Sequence, residues 1–372
     1  MAVTSERLTI VPAATLFELS RQAFERLGLS AEDAHAVADV LIDANLRGIS
    51  SHGFQRVPIY AQRLHAGLAG GSDQMSVRGE FGALCQIDAG RALGPAVAVT
   101  AVDRAMALAR QYGVGLVAVG GSTHFGPAGY YARRACSKGF IAMVMTNAPK
   151  TMAPFGASER FIGTNPLAIA IPLQRHDDFV LDIATSVVAR GKIIQSAQIG
   201  EPIPLGLAID VDGRPTTDAR AALAGSVMPF AGPKGSGLSL AIDMLSAILA
   251  QADFDDELAS MYEDADRPQN VGHLFIVIDP WRLCDRDVSL DRLDALVDRL
   301  GALRPAAEGT AVQYPGEPEA ALARERTLHG VPVEPKELAA FAQRCAEYGL
   351  ADLAAAARAL TAQGSSVLAD DA

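Results

Sequence analysis

The order of hydrophobic periodicities along the chain constrains its fold more than any other feature. Apolar residues recur at helical spacing towards both ends, and short apolar runs fill the middle. In residues 13–28, Leu16, Leu19, Phe24 and Leu27 fall near one face, Glu18, Arg21 and Glu25 on the other, and Gly28 is a stop. Ser30 can cap a second helix, with Glu32 and Asp33 in its first turn, running to about Leu46. An amphipathic segment continues through Leu64, and residues 95–112 read as a third long helix. Strand candidates follow at Val114–Val119, Ile141–Met145, Leu167–Ile171 and Phe179–Ile183, divided by loops dense in Gly, Pro, Asn and Thr. A glycine-rich turn opens a helix over 236–251, and Phe275–Ile278 is a further strand. The last third is helical, charged and alanine-rich, with residues 365–372 expected to fray. Helices, then mixed strands, then helices predict an α+β fold. Three regions are expected: a helical 1–112 holding part of the active site, a β-rich 113–290, and a helical 291–372 packing back on the first.

The chain has 372 residues and a formal net charge of −11. That charge opposes nucleic acid and anionic membrane surfaces, which need basic faces. A small anionic carboxylate remains compatible, because a local basic pocket can oppose the global charge. Cys85, Cys136, Cys284 and Cys345 show no redox or metal-ligand spacing, and no histidine–carboxylate cluster suggests a metal. Reduced thiols, no signal peptide and no apolar run of membrane-spanning length lead us to expect a cytoplasmic protein.

Gly113-Val-Gly115-Leu-Val-Ala118 formally fits a dinucleotide fingerprint, but a helix precedes it and an apolar strand follows. The fingerprint needs the reverse, since a helix N-terminus holds the pyrophosphate. We read the segment as a helix C-cap and strand entry. Gly232-Pro-Lys-Gly-Ser-Gly237 opens a helix whose free N–H groups can hold an anion beside Lys234, or it is a plain turn with a solvated lysine. His35, His65, His176 and His329 sit among charged or helical surface residues. His52 and His124 differ, each standing in a dense Ser/Thr/Gly setting that suits proton transfer to a carbonyl or from a hydroxyl. A structural role fits either histidine as well. Ser51 can fix a tautomer or pass a proton. Arg56 falls on the face of His52 if the segment is helical, where its guanidinium can grip a carboxylate with two parallel bonds; a surface arginine is the commoner fate. Asn165 can bond its own backbone before Pro166, and Asp182, at a strand end, can accept from ribose hydroxyls.

Taken in order, Arg47-Gly-x-x-Ser51-His52-Gly53-x-x-Arg56, Ser122-Thr-His124-Phe-Gly126, Gly163-Thr-Asn-Pro166, Asp182-x-Ala-Thr-Ser186 with Gly191-Lys192, Pro215-Thr-Thr-Asp218, Lys234-Gly-x-Gly237-Leu and Pro315-Gly-Glu317 cover roughly residues 7–335. This series resembles the malate/L-lactate dehydrogenase family of the non-Rossmann type, with its ureidoglycolate, sulfolactate and diketogulonate dehydrogenases and cyclic imino-acid reductases. The resemblance implies a mainly antiparallel nicotinamide-binding sheet flanked by helices from both termini. It implies NAD or NADP as cofactor, a small 2-hydroxy/2-oxo acid of malate or lactate type, and a homodimer with its active site near the subunit interface. His124 then matches the proton donor/acceptor of the hydroxy-acid branch, and Ser51 with His52 the hydroxyl–imidazole pair of the imino-acid branch. Arg56 matches the carboxylate clamp, with Arg190 adding charge near the substrate. The segment His124, Phe125, Gly126, Pro127 and Ala128 matches cofactor contacts, as do Asp182, Ile183, Ala184, Lys234, Gly235, Gly316 and Glu317. Thr123 departs from the family's usual Asn, exchanging an amide donor for a hydroxyl, and Lys192 stands where the imino-acid branch has an aspartate. A cyclic imino-acid reductase is the nearest alternative; a serine–histidine hydrolase and a binding protein without turnover are the others.

Overall fold

The computed structural model describes residues 8–363 except 265, 308 and 309, so the tail 365–372 lies outside the described residues. β1 (Thr9–Val11) leads into α1 (Ala13–Arg26) and α2 (Ala31–Leu46). The stops and caps act as expected: Gly28 takes φ 99°, and the Asp33 amide donates to Ser30 Oγ at 3.1 Å. Two 3₁₀ turns, Ser50–His52 and Phe54–Arg56, enter α3 (Val57–His65). The reading of 1–112 as helical fails next, at the hairpin β2 (Ser76–Phe81) and β3 (Leu84–Asp88). Every residue of β2 is exposed, so Ser-Val-Arg-Gly-Glu-Phe carries no alternating apolar signal.

α4 (Gly94–Tyr112), β4 (Val114–Ser122), α5 (Ala128–Cys136), β5 (Ile141–Thr146), β6 (Leu167–Ile171) and β7 (Phe179–Ile183) follow. Next come α6 (Arg190–Ile199), β8 (Ala208–Ile209), α7 (Ala219–Ala224), β9 (Ser226–Val227), α8 (Pro233–Ala250) and β10 (Val271–Ile278). The chain continues through α9 (Arg286–Gly301), α10 (Glu317–His329), β11 (Val331–Val333), α11 (Pro335–Glu347) and α12 (Ala351–Gln363). The main sheet has seven strands in the order β2-β3-β4-β10-β5-β6-β7, with β3–β4 parallel and every other neighbouring pair antiparallel. This is a mixed fold of many helices around a mainly antiparallel sheet.

Two apolar layers hold it. Val102 and Ala105 of α4 and Tyr131 of α5 pack with Phe125 against Val117 and Phe275 of the sheet. Leu16, Phe24, Leu41 and Phe54 from the N-terminal helices pack with Phe341 and Leu353 from α11 and α12, and β1 pairs antiparallel with β11 above them. Each large side chain so buried contributes on the order of 1.5–3 kcal/mol. Gly113 ends α4 at φ 86° and β4 starts at once, so this glycine run is a helix C-cap and strand entry. A Cβ on Gly115 would meet Ala105 O at 2.1 Å, so only glycine lets β4 lie this close to α4. Among the described residues, no helix is long and apolar enough to cross a membrane.

Candidate active site

One wall of the site grows from the end of α2. Asn45, fully buried, accepts from the Phe54 amide through Oδ1 at 2.6 Å, and a Cβ on Gly53 would stand 2.2 Å from that oxygen. The Ser51-His52-Gly53 turn is thus pinned against the helix. Ser51 Oγ lies 2.9 Å from His52 Nδ1, and Arg56 donates from Nε to Ser51 O at 2.6 Å. The expectation that Arg56 shares a helical face with His52 needs correction. The segment forms two 3₁₀ turns, and they fold the guanidinium back onto the Ser51 carbonyl. Burial lowers the Arg56 pKa, and among the described residues no carboxylate forms an ion pair with it. Tyr262 covers it, with Cζ 5.6 Å from the ring centroid.

The other wall comes from the β4–α5 loop. The His124 ring stacks on His52 with centroids 5.3 Å apart. Its Nδ1 lies 2.6 Å from the Tyr60 hydroxyl, which donates to His124 O at 3.1 Å. That arrangement lets Nδ1–H donate to Tyr60 and leaves Nε2 open as a base. The Gly126 amide also faces Nδ1, at 3.3 Å, and suits the tautomer with its proton on Nε2. Burial is the main cause holding His124 well below the usual histidine range, helped by His52, Arg56 and His273. Burial, then the Arg56 charge, pushes His52 down to about 3. Both rings are therefore neutral near pH 7. Burial also raises the Tyr60 pKa, so it stays a hydroxyl.

His273 lies beneath this wall. It is fully buried on β10 and stacks on Phe125 at 4.3 Å and 5°. Its Nδ1 lies 2.7 Å from Thr146 Oγ1 and its Nε2 2.8 Å from Ser122 Oγ. Both ring nitrogens are occupied without a charged partner, and burial pushes its pKa down to about 3.

The segments expected to hold a cofactor converge along β7. The Gly129 amide at the start of α5 donates to Asp182 Oδ2 at 2.9 Å, so His124–Ala128 adjoins Asp182, Ile183 and Ala184. Burial raises the Asp182 pKa, with the Gly129 bond opposing it. Thr185 O accepts from the Phe230 amide at 3.0 Å and the Val187 amide donates to Met228 O at 2.8 Å, which carries the turn of Lys234 and Gly235 alongside. The Val180 amide donates to Pro315 O at 2.8 Å, placing Gly316 and Glu317 against the same strand. Arg190 opens α6, and a Cβ on the next residue, Gly191, would stand 4.0 Å from Ser51 Cβ. Asn165 does not bond its own backbone as expected. Fully buried, it accepts from the Ala148 amide and donates to Ser239 O, both at 3.0 Å, and so ties the loop to α8.

Sequence reasoning passed over Tyr60, His273, Gln269 and Tyr262. Tyr60 follows Arg56 by one helical turn, and His273 interrupts an apolar strand; both were readable signals. Gln269 and Tyr262 lie in a loop without pattern. For a serine hydrolase, Ser51 sits on the wrong nitrogen. It occupies His52 Nδ1, where an orienting carboxylate belongs, and none is bonded to His52 among the described residues.

Two half-buried neutral imidazoles and a guanidinium without an ion-pair partner among the described residues thus stand together in this region. Residues 11–342 match the family described as malate/L-lactate dehydrogenase. The chain is 39% identical over 309 residues to the (2R)-3-sulfolactate dehydrogenase (NADP(+)) of Chromohalobacter salexigens, covering 83% of this chain and 90% of that one. It is 35% identical to the ureidoglycolate dehydrogenase (NAD(+)) of Escherichia coli, covering 86% and 91%. The solved sulfolactate dehydrogenase of Methanocaldococcus jannaschii superposes with a TM-score of 0.86 at 36% identity, covering 91% of this chain and 97% of that one. The chain belongs to the malate/L-lactate dehydrogenase family, and it is an oxidoreductase.

Proposed function

We propose that this enzyme moves a hydride between nicotinamide, NAD or NADP, and a small 2-hydroxy/2-oxo acid. The observation that carries the reading is Arg56. A half-buried guanidinium without a matching carboxylate among the described residues is costly, and a substrate carboxylate supplies the missing charge beside two neutral imidazoles. The donor set suits a dinucleotide. Gly232 enters α8 at φ 59°, and the exposed Lys234 at the start of that helix carries a charge that fits a pyrophosphate, while the amides of Lys234, Gly235 and Ser236 bond to the carbonyls of Ala231, Phe230 and Gly232. Asp182 and the Gly316–Glu317 turn would hold the remainder along β7. The nicotinamide supplies the hydride acceptor or donor. Among the chain's own residues, Arg56 orients the carboxylate and Arg190 adds positive charge near it. His124 takes the hydroxyl proton in oxidation, with Tyr60 at its Nδ1 orienting the ring.

The architecture supports a dinucleotide site that is not of Rossmann type: residues 113–290 bind nicotinamide, 1–112 supply the substrate wall and lend β2, β3 and α4 to the sheet, and 291–372 brace the helical side. Met244, Leu245, Ile248 and Leu249 leave an exposed apolar face on α8 that supports a homodimer, and four free cysteines fit a reducing cytoplasm. The Ser51–His52 pair at 2.9 Å favours a second reading, reduction of a cyclic imino acid with Ser51 and His52 as the hydroxyl–imidazole pair. A panel of 2-oxo acids and cyclic imine carboxylates, followed by nicotinamide absorbance with each reduced cofactor, decides between them. Turnover of 2-oxo acids is expected. Turnover of cyclic imines alone would transfer the role to Ser51 and His52, and no turnover with either class would refute both.

A further inference from the structure

A strap made of the described stretches 260–264 and 266–270 ties the two walls together. Arg63 of α3, only 4% exposed, donates from Nη1 to Asp264 O at 2.5 Å and from Nη2 to Arg267 O at 2.7 Å. The Ser260 amide donates to Asp264 Oδ2 at 2.7 Å and closes the turn that carries Tyr262. At the far end, the buried Gln269 accepts from the His124 amide and donates to Ala259 O, both at 3.2 Å, and Asn270 Oδ1 accepts from the Gly121 amide at 2.8 Å. The strap thus has one end on the β4–α5 loop and its Tyr262 ring on Arg56.

We propose that Tyr262 is a positioning residue that fixes how the substrate carboxylate is gripped, acting through Arg56; this rests on the reading of Arg56 as the clamp. The guanidinium is restrained at two points, its Nε bound to Ser51 O and its face covered by the Tyr262 ring. Those restraints leave Nη1 and Nη2 for a two-bond grip on a carboxylate. The ring also keeps water from one face of the cation, which strengthens the cation's attraction for an anion. Tyr262 itself is 60% exposed, so its removal leaves no cavity in the core.

The test uses the full-length enzyme and the most active carboxylate substrate of the panel. Tyr262→Ala should raise KM for that substrate about tenfold, with kcat and the cofactor KM within about twofold of the parent, because the contact acts on ground and transition states alike. Tyr262→Phe should restore the parent KM, since the ring and not the hydroxyl covers Arg56. An unchanged KM in Tyr262→Ala, while Arg56→Lys loses activity, would overturn the role of Tyr262 and leave the clamp standing. Full activity in Arg56→Lys would remove the clamp itself.

Discussion

The two walls of the site are built by different means. The helical wall comes from one short stretch, Asn45 to Tyr60, and its side chains are set by turns a few residues long. The sheet wall gathers His124 from β4's end, His273 from β10 and Asp182 from β7, joined only by strand pairing and loop contacts. The helical wall carries the Arg56 guanidinium beside the neutral His52 ring, and the sheet wall carries the neutral rings of His124 and His273. The first pair is set by local turns, whereas the second depends on burial by several distant elements.

The largest effect expected from breaking this contrast is at His124. His124→Ala should lower kcat by about 10²–10⁴ while cofactor binding, read by fluorescence quenching, survives. Parent-like turnover in this variant would remove the sheet wall from the chemistry. Arg56→Ala should act chiefly on KM for the acid, raising it about 10–100-fold through loss of two charge-assisted bonds. A drop in kcat at constant KM would place Arg56 in the proton step instead.

His273 sharpens the comparison through stability. Its pKa is about 3 in the fold against 6.5 for the free ring, so below about pH 6.5 the unfolded chain binds a proton that the folded protein refuses. Stability contributed by the neutral ring is then lost as pH falls, with a limiting slope of about 1.4 kcal/mol per pH unit, levelling near about pH 3. Urea titrations of His273→Gln at pH values between about 6 and 4 should show a slope shallower by about that amount. An unaltered slope would mean the ring is charged in the fold. The smallest effect belongs to Tyr60→Phe, which removes the hydroxyl that partners Nδ1. It should cost about 3–10-fold in kcat with the KM for the acid unchanged. A larger rise in KM than fall in kcat would make Tyr60 a substrate contact.

Legibility follows the same division. α1, α2 and α4 were readable because apolar spacing and the Ser30 and Gly113 signals lie within each segment. β4, β5, β6 and β7 were readable as apolar runs, while β2 was not, since it lies at the sheet edge with both faces exposed. Ser51, His52, Arg56 and His124 stood out by composition. His273 did not, because its meaning depends on β10 entering between β4 and β5, far away in sequence.

By itself, then, the sequence determined the long helices towards both ends, five of the seven strands of the main sheet, the family and the candidate residue types for protons and charge, all of which depend on spacing within a few turns of chain. Only the tertiary structure decided that Arg56 pairs with no carboxylate among the described residues, that Tyr60 partners His124, and that three imidazoles are held neutral. Partner identity and burial are properties of register and packing between distant segments, and no local pattern encodes them.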